Sequence, residues 1–286
     1  MRFRFLGGVC AAAVGVLLSV EVLIRQFGLL EFPLYSNSKE LGYLLAPNQH
    51  GSYLNRNDWA FNDLSMGVAK LYDPSKSARN ILLVGDSIVL GGNLIPQDQR
   101  LGPLLNRECP DVWPASAGSW ALLNELRYLR IHDRLLSDIN RVVLILNSGD
   151  FGSASVWSSE LTHPTHRPIS GLWYLTSKYF FHEDNTKSKS TDDDWATELR
   201  NMRSTYSGPL TIVLYPDRAE IQSDTLRKSN LEAYAPKLQS YRTTVLSLAE
   251  NPHWSRDFYR DDIHPTIDGL KELSAFLKRN IPECNE

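Results

Sequence analysis

Three side chains in this sequence have the types and order needed to move an acyl group through serine: Ser87, Asp261 and His264. A serine hydroxyl is a weak nucleophile near neutral pH and needs a base within hydrogen-bond reach. Imidazole serves, because it titrates near neutrality. A carboxylate on the second ring nitrogen fixes the tautomer and steadies the imidazolium. The segment Asp261-Asp262-Ile263-His264-Pro265 supplies both groups, with Asp262 a rival to Asp261 for the orienting role. Ser87 ends the run Ile81-Leu82-Leu83-Val84-Gly85-Asp86-Ser87. There a buried strand enters a tight turn, and Asp86 is placed to shape that turn and cap the helix behind it.

The elements that must position these residues alternate. Apolar runs at 81–84, 112–115, 141–146, 210–215 and 244–248 predict five buried strands. Helical spacing recurs at 98–107, with Asp98 as N-cap, at 122–136, and at 267–281, where Leu270, Leu273, Phe276 and Leu277 share a face. Strands separated by helices predict a parallel sheet covered on both sides, a three-layer α/β/α sandwich of about five strands over residues 78–286. Open sheets of this kind bind ligands beyond the strand C-termini, where Ser87 would lie. Residues 26–77, broken by Pro33, Pro47 and Gly51, read as an irregular lead-in packed on that domain, with short extended segments at 42–48 and 57–62. Over 151–206 the alternation lapses into an aromatic cluster and the polar run 185–194. This insertion is either a lid or a pair of packed helices. His163, His166 and His253 are read as surface or loop histidines.

Residues 5–24 are almost wholly apolar, flanked by Arg2, Arg4 and Arg25, with Glu21 near the far end. About twenty apolar residues can cross a bilayer as a helix, and basic residues at the start favour an N-inside orientation. Without a small-x-small cleavage site, 1–25 is expected to be an uncleaved signal anchor, with the remaining domain outside the cytoplasm. Cys109 and Cys284 could pair there or remain two buried thiols. The net charge of −3 and the absence of a basic block argue against nucleic acid as a partner. No cysteine–histidine spacing suggests a metal, and no cofactor is expected.

Over about residues 78–282 the chain resembles the SGNH (GDSL-like) hydrolase superfamily, whose sheet is flavodoxin-like. Gly85-Asp86-Ser87 matches the first block, Gly118 the glycine of the second, and Asp261-x-x-His264-Pro265 the last. The resemblance implies a triad of Ser87, Asp261 and His264, and an oxyanion hole with backbone donors at Ser87 and Gly118. The third block departs from the pattern. Where the family has Gly-x-Asn-Asp, this chain reads Asn147-Ser148-Gly149-Asp150, so Gly149 takes the place of the donor asparagine. Asn147, two residues back on the same strand face, is the substitute candidate.

The lead-in, with Gly42-Tyr43, Pro47-Asn48, Asn62 and Met66-Gly67, is similar to that of membrane-anchored bacterial relatives. This implies an esterase or acyltransferase that removes or transfers O-acetyl groups on an extracytoplasmic polysaccharide. Its partners would be an acylated carbohydrate or small ester and, for transfer, a membrane protein that donates the acyl group. The alternative is a non-catalytic glycan-binding or assembly protein on the same scaffold.

Overall fold

A computed structural model describes residues 2–76, 79–109, 111–180 and 194–285, with residues 2–7 and 9 as backbone alone. The expected sheet is present. Strands β5 (Ile81–Gly85), β6 (Val112–Ser116), β7 (Arg141–Leu146), β8 (Leu210–Leu214) and β9 (Thr244–Ser247) are all parallel, in the order β6-β5-β7-β8-β9. The strand order reverses between β5 and β7, and ligands in open α/β sheets bind at such a crevice. Successive side chains point to opposite faces of a strand. Leu82, Val84, Val142, Leu144 and Ile212 therefore join one core, and Ile81, Leu83, Val143, Ile145 and Val213 the other.

The first core is covered by α4 (Leu122–Ile131) and α7 (Trp195–Thr205), the second by α2 (Ser87–Leu90), α3 (Leu101–Leu105) and α10 (Ile267–Asn280). Short helices α5 (Asp133–Leu136), α8 (Asp224–Asn230) and α9 (Ala235–Gln239) complete the crossovers. Asp98 does not cap a helix over 98–107. A 3-10 turn spans Gln97–Gln99, and α3 starts only after Arg100, its length limited by Gly102 and Pro103. The helix expected over 122–136 breaks at His132.

The short extended segments expected at 42–48 and 57–62 are strands, and the lead-in as a whole is more regular than expected. It forms two antiparallel hairpins, β1 (Tyr35–Ser38) with β2 (Gly42–Leu45) and β3 (Gln49–Tyr53) with β4 (Asn57–Phe61). Tyr43, Leu45, Trp59, Phe61 and Met66 enter the first core, so this segment is integral to the domain. It also covers an edge. β6 is an edge strand and carries Pro114, as a residue without an N–H requires. The carbonyl of Pro114 accepts a hydrogen bond from the Gly67 amide at 2.8 Å.

The insertion over 151–206 divides into two parts. Helix α7 packs on α4 as an ordinary crossover between β7 and β8. Helix α6 (Gly171–Phe180) leaves the sheet and packs against the N-terminal helix α1 (Arg2–Gln26). Most of the polar run 185–194 lies outside the described residues. Its last member, Asp194, caps α7 by accepting from the Ala196 amide.

The N-terminal segment is helical as expected, but among the described residues no helix is long and apolar enough to cross a membrane. Its last turns are committed to the domain. Glu21 accepts hydrogen bonds from the Gly171 and Leu172 amides at the start of α6, and Arg25 donates to the Ile169 carbonyl at 2.6 Å. Ile24 packs with Leu30, Phe32 and Tyr174. The apolar run ahead of Glu21 reaches only ~24 Å at 1.5 Å per residue, short of a ~30 Å hydrocarbon core.

Candidate active site

β5 ends at Gly85, and the chain turns directly into α2, which places Ser87 in the first turn of that helix. Asp86 is the N-cap, its Oδ1 accepting from the Ile88 amide at 2.8 Å. Burial raises the Asp86 carboxyl to about 6. Helix α2 stops after one turn because Gly91 and Gly92 both have positive φ, a conformation that costs glycine nothing.

From the opposite end of the chain, the loop ahead of α10 brings His264 onto the serine. The imidazole Nε2 lies 3.0 Å from Ser87 Oγ, and Nδ1 lies 2.9 Å from Asp261 Oδ2. The loop is held firmly. The Asp261 carboxylate accepts from the backbone amides of Ile263 and His264, and Tyr215 at the end of β8 donates its hydroxyl to the Ile263 carbonyl. Partial burial pushes the Asp261 carboxyl up, but the bonds from the His264 and Ile263 amides and from the imidazole outweigh it and bring the group below its usual range. The carboxylate facing the ring is thus that of Asp261. Asp262 is exposed, and its carbonyl accepts from the Arg218 amide.

Gly118 follows β6 on the other side of Ser87, and both residues line one cavity of about 210 Å³. The lead-in holds the Gly118 peptide: the Tyr43 hydroxyl donates to its carbonyl at 2.7 Å, and the Tyr35 hydroxyl stands beside it. Desolvation pushes the Tyr35 phenol up to about 12, so it keeps its proton at neutral pH and can donate it in a hydrogen bond. His163 packs on Tyr43 with ring centroids 3.8 Å apart and edge-on to Tyr35 at 4.9 Å. It is therefore a buried histidine and not a surface one, and desolvation lowers it to about 4. His166 is exposed beside Glu160. Nothing in residue type or spacing marks Tyr35, Tyr43 or His163 as site residues. Their placement depends on hairpin β1–β2 docking on Gly118.

The Asn147 side chain is already engaged and is not free to act as a substitute oxyanion donor. It is buried, and its amide nitrogen donates to Asp150 Oδ2 at 2.8 Å and to Asp86 Oδ2 at 3.3 Å, while its oxygen accepts from the Gly149 amide. The two differences in this block are linked. A Cβ at Gly149 would lie 3.0 Å from Asn147 Oδ1, so a side chain there would press on Asn147 as it now sits. Beneath this block lies Glu125 of α4, fully buried, with both oxygens unpartnered. Burial, with Asp150 and Asp86 nearby, holds its carboxyl well above the usual range.

The fold and site thus define an α/β protein with a serine–histidine–aspartate relay beyond the C-terminal edge of a parallel sheet, at the point where strand order reverses. Such a relay can raise the nucleophilicity of Ser87. Ser87, Gly118 and Tyr35 line the same cavity. Among the described residues no cluster of histidine, cysteine, aspartate and glutamate could hold a metal ion.

No protein-family model and no curated protein matches this sequence. Solved structures do resemble it. One is a member of the lipolytic G-D-S-L family from Veillonella parvula, 13% identical over 71% of this chain and 98% of its own, with a TM-score of 0.43. A protein assigned to the same family from Desulfitobacterium hafniense is 13% identical over 70% of this chain and 98% of its own, also at 0.43. A GDSL-like protein from Bacteroides ovatus is 13% identical over 75% of this chain and 55% of its own, at 0.44. What the site can do follows from its own residues.

Proposed function

We propose that the chain is a serine acyl hydrolase or acyltransferase working through an acyl-Ser87 intermediate. The observation that carries this reading is the unbroken relay from Ser87 Oγ to His264 Nε2 and from His264 Nδ1 to Asp261. Ser87 Oγ attacks the ester carbonyl as His264 takes its proton. The tetrahedral oxyanion is met by the Ser87 and Gly118 amides, with Tyr35 in place of the missing asparagine. Collapse expels the alcohol, which leaves with the proton from His264. Water or a sugar hydroxyl then attacks the acyl-serine with His264 again as base, releasing acid or acylated sugar. Transfer would need an acyl-donor protein in the membrane.

The proposed substrate is an O-acetylated polysaccharide outside the cytoplasm, or a small ester that mimics it. Two observations support that location. Cys109 and Cys284 form a disulfide, which persists in oxidising compartments. Helix α1 also exposes Val14, Leu17, Leu18 and Val22, an apolar surface suited to membrane attachment.

The test is release of p-nitrophenol from p-nitrophenyl acetate by the full chain in detergent, beside its Ser87→Ala variant. Turnover lost in the variant, with folding retained, is the expected result. Equal rates from two folded proteins would favour a second reading, a glycan-binding protein on a hydrolase scaffold. The commitment of Asn147 to buried carboxylates is the observation that favours this alternative.

A further inference from the structure

The cavity beside Ser87 is lined by a cation with no ionic partner among the described residues. Arg100 is 3% exposed and lines the cavity with Ser87, Gly118 and Tyr35. The loop that closes α2 wraps its guanidinium. Nε donates to the Ile95 carbonyl at 3.1 Å and Nη2 to the Gly92 carbonyl at 3.2 Å. Nη1 is buried with no hydrogen-bond partner. Gly91 permits this wrapping, because a Cβ there would lie 3.0 Å from Arg100 Cγ. Among the described residues no carboxylate forms an ion pair with Arg100, and none lines the cavity. At the rim stands a second cation, Lys178 of α6, whose Nζ meets the Tyr174 hydroxyl at 3.2 Å. A buried charge without a counter-charge is costly, and the cost is recovered when a ligand brings the opposite charge.

Resting on the acyl-transfer reading, we propose that the substrate carries a carboxylate, held in this cavity by Arg100 with Lys178 at its mouth. Burial lowers Arg100 only to about 10, so it remains a cation at neutral pH. The carboxylate has two chemical sources. It can belong to the sugar, as in an acylated uronic acid residue, or to the acyl group, as in a succinyl ester.

The test uses the full chain in detergent and its variants Lys178→Gln and Arg100→Gln. One arm compares mono-p-nitrophenyl succinate with p-nitrophenyl acetate. The other compares acetate release from O-acetylated polygalacturonate and from O-acetylated xylan without uronic acid. The expected result is a kcat/KM at least tenfold higher for the acidic member of one pair, and that pair identifies the source. Lys178→Gln should cut the preference several-fold through KM. Arg100→Gln should abolish it, and Lys178→Gln carries the test if Arg100→Gln fails to fold. Serine-dependent turnover with no preference in either pair overturns the proposal and leaves the acyl-transfer reading intact. So does an equal loss of kcat on acidic and neutral substrates in Arg100→Gln, which would place Arg100 at the oxyanion. If no ester is turned over, the functional reading fails separately. The charge site is then judged by calorimetric titration of Ser87→Ala with trigalacturonate and with succinate. Binding that weakens several-fold in the added Lys178→Gln variant supports it, and no binding of either, or binding unchanged by Lys178→Gln, overturns it.

Discussion

The two walls of the Ser87 site are built on different plans. The proton-transfer wall is local. Asp261 and His264 lie three residues apart in one loop, and the carboxylate that orients the ring also accepts the backbone amides of that loop. The oxyanion wall is assembled from distant segments. Gly118 is fixed by Tyr43, 75 residues away in sequence, and Tyr35 of the same hairpin stands beside it. A local motif tolerates change elsewhere in the protein, whereas an assembled wall fails when any of its supports is lost.

The largest expected effect is on the local wall. Asp261→Asn should leave the fold intact and lower kcat by ~10⁴, because the amide no longer fixes the tautomer that presents a basic Nε2 to Ser87. Steady-state kinetics on p-nitrophenyl acetate would measure it. A loss below tenfold would hand the orienting role to Asp262. On the assembled wall, Tyr35→Phe removes one hydroxyl donor and should lower kcat by ~10²–10³ with little change in KM. Tyr43→Phe releases the Gly118 carbonyl without touching substrate, so its loss should be smaller, about tenfold. If both variants retain full kcat, the hairpin only supports the fold.

This difference in plan also decided what the sequence could reveal. The five strands and the Ser87, Asp261 and His264 cluster were legible because apolar runs and short motifs are local signals. In the lead-in only extended stretches around β2 and β4 were legible; β1, β3 and their pairing into hairpins were not, since four- and five-residue strands punctuated by Gly and Asn carry little periodicity. His163 was misread because its burial depends on Tyr35 and Tyr43, which reach it only in the folded chain. Asn147 was placed on the correct strand end, but its amide was already claimed by Asp86 and Asp150. No pattern in the sequence signals that carboxylate cluster.

The walls also differ in how they are secured. Cys284, just beyond α10, is bonded to Cys109, just beyond α3, across 175 residues. The helix that follows His264 is thereby stapled to the second core. Replacing both cysteines by serine should cost ~2–4 kcal/mol of stability, measured by denaturant unfolding. Activity at 25 °C should persist, because neither sulfur touches the site. An activity loss matching that of Tyr35→Phe would mean that the staple also positions His264.

The smallest effect separates the walls by pH. Asp261 titrates below its usual range when folded, so its contribution to stability is full above an unfolded value near 3.8 and is lost only as pH falls through the folded value. Glu125, beneath the oxyanion wall, titrates well above 4.5 when folded. The folded state holds this proton after the unfolded chain has released it. Stability therefore declines as pH rises above about 4.5, by up to ~1.4 kcal/mol per pH unit for one proton. Asp86, raised to about 6, adds to the same decline. Glu125→Gln keeps the shape without the titration, so its stability curve between pH 5 and pH 8 should be flatter than that of the parent. Unfolding titrations at those two pH values measure the slope. Parallel curves would mean that water reaches Glu125 and that the buried acid beneath the oxyanion wall is solvated.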